Sequence, residues 1–250
     1  MGRITETVKA LLIINVIFFI GSLTLGDAAY KLFALWFPKN GNFQIWQIAT
    51  HMFMHSQKTF AHILFNMFML YMFGSHMENA IGQRKFLFLY FSAGLGAMLL
   101  QLAFYYFNFQ PAYQSFIEAG FSNEEIIGFL DSGRYNTSVL KYTTEESVSD
   151  MFGAYHSLMV GASGAIAGVI AAFAVLFPNL PLYLMFIPVP IKAKYLVAGY
   201  FVLDLFGGIT GQSVYGATNI AHWAHIGGAV IGFITMWYWK KNSFNQNRWN

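Results

Sequence analysis

Ala221-His222-Trp223-Ala224-His225-Ile226-Gly227-Gly228-Ala229-Val230-Ile231-Gly232 opens an apolar run that meets no charged residue until Lys240. A helix of about 20 mostly apolar residues crosses the roughly 30 Å of bilayer hydrocarbon, and Ala221 to Trp239 is of that size. His225, Gly228 and Gly232 fall at i, i+3 and i+7, so they share one helical face. The two glycines make that face smooth enough for a neighbouring backbone to approach closely. At the end of the stripe stands an ionisable ring. In hydrocarbon such a group is costly, and it usually faces the bundle interior and carries function.

The rest of the chain is made of the same material. Of 250 residues, 56% are hydrophobic and 10% charged, against roughly 25% charged in an ordinary globular chain. Mean hydropathy is +0.48. No Asp, Glu, Lys or Arg occurs from Ala10 to Gly26, Thr59 to Met77, Phe86 to Ile117, Met151 to Ile191 or Leu205 to Trp239. A water-soluble fold is excluded. The pattern predicts an all-α membrane protein with six crossings: Val8 to Leu25, Phe60 to Ile81, Phe86 to Phe107, Ser163 to Leu180, Ala193 to Thr210 and Ala221 to Trp239. Pro178, Pro181, Pro188 and Pro190, followed by Lys192 and Lys194, separate the fourth crossing from the fifth.

With six helices, Arg3, Lys9, Arg84, Lys85, Lys192, Lys194, Lys240, Lys241 and Arg248 fall on one side of the membrane. The positive-inside rule then makes both termini cytoplasmic, and a bacterial inner membrane is the expected location. The net charge of +3 is this bias, not a nucleic-acid footprint. On the opposite side, Asn108 to Asp150 forms a polar insertion holding seven of the eleven acidic residues, with a surface helix expected around Asn123 to Leu130. Beyond Asn242 the tail is polar and expected to fray. There is no cysteine, which excludes disulfides, thiol nucleophiles and thiolate metal sites.

Three intramembrane polar sites stand out. Gly161-Ala162-Ser163-Gly164-Ala165-Ile166-Ala167-Gly168 opens the fourth span, and the flanking glycines leave the Ser163 hydroxyl unobstructed. Gly164, Gly168 and Ala171 form a smooth surface matching that of the sixth span. Contact between the two surfaces would bring Ser163 Oγ to His225, the geometry of a nucleophile and its base. In the second span His62 and Asn66 are one turn apart, and the Asn66 amide can donate to a developing oxyanion. Bland readings stand beside each of these: a packing serine, a structural histidine, and a His–Asn interhelical clamp. His51 and His55, four apart, would suit a metal pair, but no His-Glu-x-x-His and no thiol accompany them. No metal or other cofactor is expected. An aspartyl site needs two membrane aspartates, and Asp204 alone is placed in a span. His156 reads either as a donor near the opening of the fourth span or as a solvated loop residue.

The set Ala61-His62-Ile63-Leu64-Phe65-Asn66, Gly161-Ala162-Ser163-Gly164 and Ala224-His225-Ile226-Gly227-Gly228, in helices two, four and six, resembles the rhomboid family of intramembrane serine proteases. Gly74-Ser75-His76-Met77-Glu78 with Gly82 is similar to the family's Gly-x-x-x-Glu-x-x-x-Gly, and Trp46, Thr50-His51 and His55 resemble its first loop. The resemblance implies a six-helix rhomboid-like bundle and a Ser–His dyad rather than a triad, cutting transmembrane protein substrates near the non-cytoplasmic face. Ser163 would be the nucleophile and His225 the general base and acid. Asn66, His62 and the Ser163 N–H would stabilise the oxyanion. The alternative is a rhomboid-like binder of membrane clients without catalysis. Three departures accompany it. Gln47 replaces the family's arginine after Trp46. Ala167 takes the place of an aromatic under the histidine ring, so either another group orients His225 or the ring is looser than usual. The insertion occupies what is often a short loop before the serine.

Overall fold

The computed structural model describes residues 3–135, 137–183, 189–211 and 221–246, with side chains through 242. Pro188, Arg248 and the tail beyond Gln246 lie outside them. The N-terminal helix α1 (Glu6–Leu25) is followed by short α2 (Asp27–Phe33) and strand β1 (Leu35–Trp36). Loop one then carries α3 (Gln47–Thr50) and a 3₁₀ turn (His51–Phe53). The second hydrophobic stretch is one continuous rod of α4 (Phe60–Met69), a π-helical turn (Leu70–Gly74) and α5 (Ser75–Ile81).

The Gly-x-x-x-Glu-x-x-x-Gly stretch is explained by what it holds. Glu78 receives the Thr5 hydroxyl at 2.5 Å and the amides of Val8 at 3.1 Å and Thr7 at 3.3 Å, so a carboxylate from α5 caps the positive end of α1. Gly74 makes room for Val8, since a Cβ there would come within 3.0 Å of the valine methyl. Gly82, at φ 80°, ends α5 and turns the chain into α6 (Gln83–Glu118).

Helix α6 is longer than the sequence suggests. The third span was expected to stop at Phe107 and a polar insertion to begin at Asn108, but the helix runs on to Glu118. Its 36 residues reach about 54 Å, well beyond the hydrocarbon. The cause is an apolar stripe, Phe109, Ala112 and Phe116, that stays buried past the polar residues around it, with Pro111 accommodated inside the helix. On this extension pack α7 (Asn123–Ser132), a 3₁₀ turn (Thr137–Lys141) and α8 (Glu145–Tyr155). Helix α7 begins with a capping box, Ser122 and Glu125 exchanging hydrogen bonds, and Thr144 caps α8. Phe37, Phe109, Phe116, Ile126, Leu130 and Met151 form their own core here. The acidic insertion is therefore a helical cap with charges on its outside. His156 belongs to it: its Nε2 lies 2.9 Å from the Leu130 carbonyl and its ring packs on Phe152.

Strand β2 (Leu158–Met159) pairs antiparallel with β1, Leu35 opposite Met159, which ties loop one to the segment before Ser163. Helix α9 (Ser163–Leu176) follows, then the hairpin strands β3 (Pro181–Tyr183) and β4 (Pro190–Lys192), α10 (Ala193–Thr210) and α11 (His222–Gln246). The expected end of the fourth span at Leu180 moves back to Leu176. Phe177 precedes Pro178 and leaves the helical region at φ −120°, as a residue before proline tends to do.

Helix α9 is the axis of the fold. Every residue from Gly164 to Phe173 is buried, as expected of a helix that is apolar all round. By contrast α1 shows Ile13, Ile17 and Ile20 at its surface, each at least half exposed, and α10 shows Val202 and Ile209. Apolar side chains facing outward on long helices mark lipid contact. Among the described residues, Glu6–Leu25, Gln83–Glu118 and Ala193–Thr210 are each long and apolar enough to cross a membrane, while the apolar α9 is shorter.

Candidate active site

Small residues set the geometry. A Cβ at Gly228 would fall on the Gly164 carbonyl oxygen, and one at Gly232 on that of Gly168. The smooth faces of α9 and α11 thus lie backbone to backbone, as their spacing suggests. A third partner was not foreseen: Ala93 and Ala97 of α6 close on Gly168 and Gly164, and the Gly96 backbone on Gly227. At the end of this seam Ser163 Oγ lies 3.0 Å from His225 Nε2. Gln101 on α6, buried, accepts the Ala224 amide at 3.1 Å and steadies the first turn of α11 beside the histidine.

The other ring nitrogen has partners that the sequence left unassigned. His225 Nδ1 is 3.1 Å from Asp204 Oδ2 and 3.3 Å from the Tyr200 hydroxyl. Asp204 is wholly buried, and its second oxygen is 2.6 Å from Nδ1 of His222. The His222 ring lies against the Gly207 backbone, where a Cβ would come within 2.6 Å of it. Ala167 carries no ring for the His225 imidazole to rest on, and Asp204 and Tyr200 are the groups within hydrogen-bond reach of its Nδ1. The available signal was the isolation of Asp204 in an otherwise apolar span, with Tyr200 one turn before it and Gly207 one turn after. Its pairing with α11 depends on helix rotation that spacing alone does not give.

Beside Ser163 lies a hollow made by loop one. Gly161 adopts φ 121°, a conformation side chains rarely take, and its amide donates to the His51 carbonyl at 3.0 Å. A Cβ at this position would come within 3.1 Å of His62 Nε2 and 3.7 Å of Ser163 Oγ, so the glycine keeps the hollow open. His62 Nδ1 accepts the Ser56 amide at 3.0 Å. That bond places the proton of a neutral His62 on Nε2, making it a donor into the same hollow. Asn66, one turn on, gives one amide hydrogen to the His62 carbonyl at 2.7 Å and keeps a second to donate.

Loop one is knitted by Gln47, the residue standing where the related pattern has arginine. It is fully buried, and its Oε1 accepts the amides of Gln44 at 3.1 Å and Trp36 at 3.3 Å. Its Nε2 donates to the carbonyls of Lys31 and Asn42, each at 2.9 Å. An uncharged amide does the anchoring here. The Trp46 indole adds a bond to the Leu32 carbonyl at 2.7 Å. His51 and His55 do not form a pair: His51 Nδ1 donates to the Gln47 carbonyl at 2.8 Å, and His55 packs on His62 with ring centroids 5.2 Å apart. Burial first, then the neighbouring His62, lowers the pKa of His55 to about 4. Burial likewise lowers that of His51. Both rings are therefore neutral donors and acceptors at physiological pH.

A hydroxyl held on an imidazole, next to a hollow ringed by N–H groups, is an arrangement suited to acyl transfer. Comparison with known proteins gives a consistent result. Residues 42–242 match the Rhomboid domain family. Among curated proteins the chain is similar to the presenilin-associated rhomboid-like protein, mitochondrial, of Homo sapiens and of Pongo abelii. Identity is 26% over 178 residues in each case, covering 71% of this chain. The chain spans about a third of the length of those relatives. A domain match over most of the chain, on a helical fold with lipid-facing surfaces, shows an integral membrane protein that belongs to the rhomboid family.

Proposed function

We propose that this chain is an intramembrane serine endopeptidase. The single observation that carries the reading is the 3.0 Å approach of Ser163 Oγ to His225 Nε2, beside the hollow kept open by Gly161. Ser163 attacks the scissile carbonyl carbon while its proton passes to His225 Nε2. The carbonyl oxygen, now negative, enters the hollow and receives hydrogen bonds from His62 Nε2, the Ser163 amide and the second hydrogen of Asn66. Each such donor is worth about 2.7–4 kcal/mol of barrier. Collapse of the tetrahedral intermediate breaks the C–N bond, and His225 returns the proton to the leaving amine. Water, deprotonated by the same imidazole, then hydrolyses the acyl-enzyme.

The reading includes six crossings formed by α1, the α4–α5 rod, α6, α9, α10 and α11. Both termini are then cytoplasmic, a side favoured by the clustered basic residues, and the cap of α7 and α8 lies on the other, next to the opening of α9 where Ser163 sits. Substrates are transmembrane proteins cut near that face. The expected setting is a bacterial inner membrane, whereas the relatives named above are mitochondrial by name, and cell fractionation decides between the compartments. The test compares ectodomains released by cells carrying the wild type and Ser163→Ala. Fragments present with the wild type and missing with the variant support proteolysis. Identical fragment sets with retained binding of membrane clients would favour a non-catalytic binder.

A further inference from the structure

We propose that Asp204 is the positioning residue of the Ser163–His225 pair, so that the array is Ser–His–Asp, with its carboxylate shared between two imidazoles. The inference rests on the proposed proteolytic reading of Ser163 and His225. It comes from contacts that reading does not need. A carboxylate with no exposed surface in a membrane bundle demands hydrogen-bond donors on its oxygens, because an unpaired buried charge is strongly destabilising. Asp204 has one for each: His222 Nδ1 at 2.6 Å on Oδ1 and His225 Nδ1 at 3.1 Å on Oδ2.

This sharing assigns the protons. An ionised carboxylate only accepts, so each histidine must carry its hydrogen on Nδ1. For His225 that leaves Nε2 with a free lone pair, facing Ser163 Oγ at 3.0 Å. Without the carboxylate, the imidazole could equally hold its proton on Nε2 and be useless as a base. During attack the Ser163 proton moves to Nε2, the Nδ1 proton stays where it is, and Asp204 faces the resulting imidazolium without taking a proton itself. His222 has a separate task. It keeps a donor on the carboxylate at every stage, so Asp204 stays fixed while His225 is freed to rock between serine and leaving group. The Tyr200 hydroxyl, 3.3 Å from the same Nδ1, flanks the contact from α10. The acid and both its histidines come from two different helices, and Gly207 is what allows the His222 ring to reach the α10 backbone.

The experiment uses full-length protein in detergent or bilayer and follows reaction with a fluorophosphonate, reading the rate constant separately from the labelled amplitude. Amplitude counts folded sites, and the rate constant reports the base in each of them. Asp204→Asn preserves shape but can present an amide hydrogen to Nδ1, favouring the wrong tautomer. We expect its labelling rate constant and its kcat on a transmembrane substrate to fall by roughly 100-fold or more, with KM within about two-fold of wild type. Asp204→Glu, retaining an acceptor, recovers part of the rate. An unchanged rate constant in Asp204→Asn overturns the inference while leaving the protease reading intact. A loss of amplitude with an unchanged rate constant shows a role in folding alone and also overturns it. Failure of the wild type to label at all, or labelling that persists in Ser163→Ala, strikes the proteolytic reading instead.

Discussion

Two parts of the molecule are built on opposite principles. Around α9 the helices meet through Gly164, Gly168, Gly228 and Gly232, where backbones touch and no side chain intervenes. In the cap of α7 and α8, large side chains such as Phe109, Phe116 and Met151 fill a core of the kind found in water-soluble domains. The difference follows from solvent. Lipid tails are as apolar as leucine, so burying more leucine between membrane helices gains little, and close packing with buried hydrogen bonds holds them together. Beyond the hydrocarbon, water returns and the hydrophobic effect drives assembly again. The catalytic candidates belong to the first kind of packing, where a fraction of an ångström in helix separation is also a fraction of an ångström in the Ser163–His225 distance.

The largest effect on activity should come from inserting volume into the seam. Gly228→Val places atoms on the Gly164 carbonyl and forces α11 from α9. Overpacking of this kind costs about 1–3 kcal/mol, and an ångström of misplacement costs roughly 100-fold in rate. Thermal unfolding and phosphonate labelling of Ser163 should both register it. Removing volume from the cap should instead cost stability without touching the chemistry. Phe116→Ala empties a side chain that is 1% exposed and should destabilise by about 3–5 kcal/mol. Labelling of Ser163 in the folded fraction should stay within about two-fold. A matching loss of labelling would show that cap and site are one cooperative unit.

Acid should act on loop one. His55 is neutral in the fold down to about pH 4, whereas in the unfolded chain it takes a proton below about pH 6.5. Its contribution to stability is complete above pH 6.5 and is lost as pH falls toward 4, by roughly 3 kcal/mol in all. Melting temperatures across that range should fall less steeply in His55→Gln than in the wild type. The smallest effect contrasts with the first. Gly153 in α8 has open space where a Cβ would stand, so Gly153→Ala should stabilise the cap by about 0.5–1 kcal/mol. Adding side-chain volume to a helical glycine thus changes sign between the two regions.

How much of this was readable beforehand depended on whether the cause was local. The meeting of α9 and α11 could be read because glycines at helical spacing mark a close-packing face on each helix separately. The hollow beside Ser163 was half readable: His62 and Asn66 share a face by spacing, but the left-handed Gly161 and its bond to the His51 carbonyl join residues far apart in the chain. Asp204 was visible as an oddity, yet nothing local says that α10 turns it toward His225. The surface helix near Asn123 was readable, but the extension of α6 past Phe107 was not, because polar residues from Asn108 onward hide the buried stripe of Phe109, Ala112 and Phe116. Gln47 was visible as a departure from the family's arginine, but its hydrogen bonds to Lys31, Trp36, Asn42 and Gln44 join backbone groups that only the fold gathers.

The most direct measurement is to treat the full chain in membranes with a fluorophosphonate and locate the adduct by mass spectrometry. The Ser163–His225 pairing predicts one adduct, on Ser163, that vanishes in Ser163→Ala and forms at least about 100-fold more slowly in His225→Ala. An adduct on another residue, or an undiminished rate at Ser163 without the imidazole of His225, would contradict it.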